Sequence, residues 1–231
     1  KTAYEIPKRD WSSDVCSSDL KAYRRTVIAE LDALPGHFRW HVVCGMTGTG
    51  KSRLLAALRD AGAQVLDLEA LAAHRGSVLG NLPDAPQPPQ KYFESLIWHA
   101  LRTFDPSRPV FVESESKKVG KLRVPEALIA AMWAGTPLVL NAPMPVRVTL
   151  LKEDYAHFLH DPALLCAQLD HLVNLHGHEI IAGWQTMVRQ QRWDELTEAL
   201  LVYHYDPSYT RAITKHYPTL ERAPQVSATD T

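Results

Sequence analysis

Cysteine is scarce in this chain: Cys16, Cys44 and Cys166 are the three in 231 residues, and no two form a C-x-x-C pair. That scarcity excludes a disulfide framework and a cysteine-based structural zinc site, and it makes a reducing cytoplasm the expected location. Long apolar runs are missing as well. None nears the roughly 18 residues that a membrane helix needs, and no signal peptide is visible, so no membrane partner is expected. The chain also lacks net charge, with 25 Lys+Arg against 26 Asp+Glu. A nucleic-acid partner would therefore have to meet a local basic patch, since no global positive field exists to hold it. At 45% hydrophobic residues, the chain can bury one α/β core and a smaller appendage. His171, His176 and His178 lack the helical spacing and the completing carboxylate or cysteine that a metal cluster requires.

The first twenty residues resemble a translated sequencing adapter and are set apart as a disordered artefact. Asp10 to Leu20 follows one reading frame of an index-bearing adapter, Lys1 to Ile6 matches its upstream part, and Pro7, Lys8 and Arg9 fall where the index would lie. The native chain is expected to begin near Lys21, with native sequence missing upstream. Discounting the three cations and four acids of that segment leaves the two signs balanced.

Against these absences stands one dense motif. Gly45, Met46, Thr47, Gly48, Thr49, Gly50, Lys51 and Ser52 spell G-x-x-x-x-G-K-[ST], after the apolar run His41 to Cys44 and before the helix-forming stretch Arg53 to Arg59. Glycines let successive N–H groups turn inward toward phosphate oxygens, Lys51 adds a point charge, and Ser52 offers a hydroxyl to Mg²⁺. The motif predicts a site for a di- or triphosphate.

The rest of the chain punctuates itself into an α/β protein. Residues 21–36 read as a connecting helix stopped by Pro35 and Gly36. Residues 37–145 read as a phosphate-loop α/β domain with short buried strands at Gln64–Leu68, Pro109–Glu113 and Pro137–Asn141, and helices over Tyr92–Phe104 and Pro125–Ala134. This alternation predicts a nucleotide-hydrolase-like parallel sheet covered by helices on both faces. Residues 69–91, broken by Gly76, Gly80 and four prolines, read as a long functional loop. Residues 146–218 show only helical periods and predict a helical appendage, and residues 219–231 are expected to be a frayed tail.

A phosphate loop needs an acid to organise Mg²⁺, and Glu113 at the end of an apolar strand fits first, with Glu115 on the same face and Asp67 as a third choice. Lys117, Lys118, Lys121 and Arg123 cluster just past that strand, where open α/β sheets bind ligands. They could hold a polyphosphate or an RNA backbone. His74 and Arg75, beside the flexible Gly76, add a cation in the long loop, and Arg147 is a candidate lid arginine. Cys44 reads as a packing residue rather than a nucleophile. Trp184, Trp193, Tyr203, Tyr205 and Tyr209 could stack bases but read more naturally as core.

In the order of these segments the chain resembles the phosphate-loop part of the bacterial selenouridine synthase family, over residues 21–218. The carrying motifs are the loop itself, Leu66-Asp67-Leu68-Glu69 followed by His74-Arg75-Gly76-Ser77 and Gly80, Gln90 to Glu94, Glu113 to Gly120, and His204-Tyr205-Asp206-Pro207-Ser208-Tyr209. The resemblance implies modification of the wobble uridine of certain tRNAs in two steps. A geranyl group from geranyl diphosphate is placed on the sulfur of 2-thiouridine, and selenophosphate then replaces the S-geranyl group with selenium. Lys51, Glu113, Glu115 and Arg75 are the expected catalytic set, with Ser52 and Glu113 on Mg²⁺, and the resemblance implies a rhodanese-like cysteine domain upstream that is missing from this chain. ATP or GTP is the alternative occupant of the loop. The competing readings are a small-molecule or nucleoside kinase and a non-catalytic RNA-binding module. Oligomeric state is not legible.

Overall fold

The computed structural model describes residues 17–77, 79–81, 85–217 and 220–228. Its frame is a five-stranded, wholly parallel sheet in the order β2-β3-β1-β6-β7, formed by β1 (Arg39–Cys44), β2 (Gln64–Leu66), β3 (Pro109–Glu113), β6 (Thr136–Asn141) and β7 (Gln225–Ser227). A two-stranded antiparallel hairpin, β4 (Lys118–Val119) with β5 (Leu122–Arg123), follows β3. The central strand β1 is flanked on both sides, so its side chains alternate between two buried faces. Val42 and Cys44 enter one core with α1 (Ser17–Ala33), α4 (Gln90–Thr103) and α5 (Glu126–Trp133). Val43 enters another with Leu55 of α2 (Lys51–Asp60), Val65 and Leu140. Cys44 is fully buried, and that burial pushes its thiol up to about 12, which fits a packing residue.

The remaining helices are α3 (Leu68–Ala72), α6 (Met144–Asp154), α7 (Ala156–His160), α8 (Pro162–Asp170), α9 (Val173–His176), α10 (His178–Arg189), α11 (Trp193–Leu200) and α12 (Asp206–His216). A separate core joins Phe158, Leu165, Leu169, Trp184, Val188 and Leu200 across α7, α8, α10 and α11. Between α11 and α12 the helix widens into one π-helical turn, Leu201–Tyr205. Such a turn reorients side chains without breaking the helix, and is frequent at functional sites.

Four features differ from the sequence expectation. The first helix begins at Ser17, so Ser17–Leu20 are helical rather than disordered, while residues 1–16 of the adapter-like segment lie outside the described residues. The expected frayed tail supplies the edge strand β7, paired with β6 from Val139↔Gln225 to Asn141↔Ser227. Backbone pairing with a strand already in place holds this segment, although all three of its residues are exposed. The long loop is partly ordered: Asp67 caps α3 by accepting from the Ala70 N–H at 2.9 Å, and His74 bridges to Asn81. The basic cluster forms the β4–β5 hairpin, whose turn at Gly120 adopts a φ of +59°, a conformation that a period-two reading of two-residue strands cannot reveal.

Candidate phosphate and metal site

The phosphate loop leaves β1 at Cys44 and enters α2 at Lys51, so the unpaired N–H groups of the helix's first turn face the loop. Two glycines are forced by close contact. A Cβ on Gly45 would lie 2.6 Å from the Leu140 carbonyl oxygen, and one on Gly48, whose φ is +82°, would lie 2.9 Å from the Leu151 side chain and 3.0 Å from the Arg147 carbonyl. Lys51 Nζ donates to the carbonyls of Gly45 at 2.8 Å and Met46 at 3.1 Å, and stands 3.4 Å from Glu113 Oε1.

Opposite the loop, three carboxylates converge. One oxygen each of Glu69, Glu113 and Glu115 lies within 4.8 Å of the others. The Ser52 hydroxyl reaches toward Glu113 at 3.4 Å and Glu69 at 3.5 Å. Three elements build this cluster: the end of β3, the segment just beyond it, and the first turn of α3. Burial first, and then the charge of Glu113, pushes the Glu69 carboxyl up to about 9 and the Glu115 carboxyl to about 8. One ammonium, Lys51, serves three acids. Carboxylates and a hydroxyl are hard oxygen donors, the set that Mg²⁺ prefers, and a divalent cation would supply the positive charge the cluster is short of. Glu113, Glu115, Glu69 and Ser52 thus fit Mg²⁺ by their chemistry.

Lys51, Ser52, Glu113 and Glu115 are brought together as the sequence suggested, and Glu69 is the member it missed. The signal was present in Asp67-Leu68-Glu69: Asp67 is spent on capping α3 and on Arg59 at 3.7 Å, which leaves Glu69 to face the loop. The same cavity, about 1280 Å³, is bordered by Thr47, Gly48, Gly50, His74, Arg75, Lys117 and Lys118. Arg75 packs its guanidinium over the Tyr155 ring at 5.1 Å and lies 4.0 Å from Asp154. His74 is buried at the cavity border, and desolvation pulls its imidazole below the usual range. Lys121 and Arg123 sit on the hairpin outside the cavity lining; their backbone N–H groups donate to Gln87 and Gln90.

Arg147 departs most from expectation. Its guanidinium makes a two-pronged pair with Asp206 at 2.5 and 3.0 Å and donates to the Thr47 carbonyl at 2.9 Å. With its charge spent on Asp206 and its side chain buried, it braces the loop from behind instead of facing an anion. Tyr209 adds a second brace, accepting from the Gly45 N–H at 2.6 Å. Of the aromatic residues first read as core, Trp184 is core, and Tyr205 and Tyr209 pack against the cores while also bordering the cavity. His204 on the π-turn meets His176, Nδ1 to Nε2, at 3.0 Å.

An apolar hollow of about 70 Å³ adjoins the loop at Thr47, bounded by Leu79, Leu151, Tyr155, Phe158 and Leu200. Leu151, Tyr155 and Tyr205 border both this hollow and the main cavity.

Residues 38–179 match the family described as tRNA 2-selenouridine synthase AAA domain. Among curated relatives, the tRNA 2-selenouridine synthase of Marinobacter nauticus is 29% identical over 223 residues, covering 84% of this chain and 59% of that protein. The synthase of Alcanivorax borkumensis is 33% identical over 192 residues, 79% of this chain and 51% of its own length. That of Shewanella loihica is 34% identical over 142 residues, 61% and 37% respectively. The chain thus spans between about a third and three-fifths of the length of these relatives.

Proposed function

Since the chain belongs to the tRNA 2-selenouridine synthase family, we propose that it is the phosphate-handling part of an enzyme that converts wobble 2-thiouridine in tRNA to 2-selenouridine through an S-geranyl intermediate. The observation that carries this reading is the convergence of Glu69, Glu113 and Glu115 on the phosphate loop beside Lys51 and Ser52. Such a site is suited to the diphosphate of geranyl diphosphate. As the thiocarbonyl sulfur forms its bond to the geranyl carbon, the carbon–oxygen bond to diphosphate breaks, and negative charge grows on the departing oxygens. The loop N–H groups, Lys51 and Arg75 receive that charge, and Mg²⁺ held by Glu69, Glu113, Glu115 and Ser52 would neutralise more of it. The apolar hollow beside Thr47 supports a hydrocarbon substituent. At about 70 Å³ it is under half of the roughly 150 Å³ cavity known to hold benzene, so it suits the distal methyl groups of the chain, with the remainder lying along Leu151 and Tyr155. Replacement of the S-geranyl group by selenium from selenophosphate belongs to the whole enzyme, together with the rhodanese-like domain that the family resemblance implies.

A second reading, with ATP or GTP in the loop, is favoured by the size of the cavity, about 1280 Å³, which exceeds what a diphosphate fills. Incubating the chain with Mg²⁺, thiolated tRNA and either geranyl diphosphate or ATP, followed by mass spectrometry of the nucleosides, separates the two. The expected product is S-geranylated 2-thiouridine, reduced at least about 10²-fold by Lys51→Ala. Geranylation unaffected by that substitution overturns the assignment of the loop, and ATP consumption without tRNA supports the second reading.

A further inference from the structure

Away from the acids, the same cavity has a border of opposite character. Trp133, at the end of α5, and His216, at the end of α12, stack with ring centres 3.8 Å apart and planes 9° from parallel. Lys117 Nζ lies 5.5 Å from the centre of the Trp133 ring, and Lys118 and Lys215 border the same cavity. Among the described residues none of these three lysines has an acidic partner, whereas Lys51, Arg53, Arg75, Arg147 and Lys152 all do. The positive charge around His216 is felt in its imidazole, which desolvation and then Lys215 and Lys117 hold below the usual range. An imidazole stacked on an indole, in a cavity whose border carries ammonium groups without acidic partners among the described residues, has the chemistry that grips a single-stranded nucleotide: a flat π surface for the base and point charges for flanking phosphates. None of this is needed to hold a diphosphate at the loop.

We infer that Trp133, His216, Lys117, Lys118 and Lys215 form the seat for the target nucleotide of the tRNA, with its base extending the Trp133–His216 stack inside the cavity that also holds the phosphate loop. This rests on the tRNA reading above and specifies where the RNA is held. The two lysines that follow Glu115 in sequence join the seat to the acid cluster through one short segment, so the base and the diphosphate share one chamber.

The test measures binding of a fluorescent anticodon stem-loop RNA carrying 2-thiouridine at the wobble position, over a range of salt, with the chain as it stands. Replacing both Lys117 and Lys118 by Ala should lower the slope of log affinity against log salt by about 1.4, from about 0.7 per single-strand phosphate contact. His216→Ala should weaken binding about tenfold while leaving that slope unchanged, and His216→Phe should restore it, because the stack and not the charge is lost. Arg189→Ala, on α10, should change neither. Affinity and slope unmoved by the lysine and His216 changes overturn the seat while leaving the tRNA reading intact. No binding of the RNA by the unsubstituted chain, at the lowest salt used, overturns both.

Discussion

The two sides of the phosphate loop treat charge in opposite ways. Behind it, Arg147 and Asp206 are matched one to one in a two-pronged pair, and the Thr47 carbonyl takes a further donor bond. In front, three carboxylates share one lysine, and two of them are pushed far above the usual carboxylate range. A buried pair that is fully satisfied is a structural fixture, whereas a cluster left with excess charge of one sign marks a place where a cation or substrate completes the balance. Identical residue types therefore carry different meanings according to whether the fold itself supplies the partner.

Breaking the comparison on the front should give the largest effect. Glu113→Gln is expected to lower Mg²⁺ affinity and geranyl transfer by about 10²-fold, on the scale of metal-site substitutions, and a Mg²⁺ titration of the activity checks it. Arg147→Met, on the back, should cost about 3–5 kcal/mol by stranding Asp206 in a mostly buried setting. Urea denaturation would read this loss, and combining it with Asp206→Leu should recover most of it. If the single substitution costs no more than an exposed pair would, the loop is not braced from behind.

Sharpening the contrast requires the sign of the pH dependence. A carboxyl raised on folding binds its proton more tightly in the native state than in the unfolded one. Its burden on stability is absent below the unfolded value of 4.5, grows as pH rises through the interval up to the folded values near 9 for Glu69 and 8 for Glu115, and is complete above them. Without divalent cations, the melting temperature should therefore fall from pH 5 to pH 9. Glu69→Gln should flatten that fall and raise the melting temperature at pH 8 by about 3 °C, the shift expected for roughly 1 kcal/mol in a chain of this size. No change is expected at pH 4. An effect of similar size belongs to Tyr209→Phe, which removes one hydrogen bond to the Gly45 N–H and should cost about 1 kcal/mol.

Much of this was legible in the sequence where local chemistry and global position coincide. The loop announces itself because glycine spacing, a lysine and a hydroxyl are all demanded by one ligand. The strand ending in Glu113 was readable because a short apolar run bounded by Pro109 and an acid has few other uses. The parts that escaped are those in which distant segments meet. Glu69 could not be separated from Asp67 until α3 assigned one to a cap and the other to the cavity. Arg147 looked like a lid cation because its partner Asp206 lies 59 residues away. The strand Gln225–Ser227 has no apolar face to advertise it, being held by the backbone of β6. The Trp133–His216 stack joins the ends of two helices that nothing in their spacing connects.

The central claim, that the loop and the three glutamates together hold a magnesium diphosphate, is tested most directly by calorimetric titration of the chain with geranyl diphosphate at pH 7, with and without Mg²⁺, in buffers of different ionisation heat. The account predicts Mg²⁺-dependent binding that is lost in Lys51→Ala and that releases protons, because Glu69 and Glu115 are protonated at that pH until the metal displaces them. Binding that is indifferent to Mg²⁺ and to Lys51, with no protons released, would contradict it.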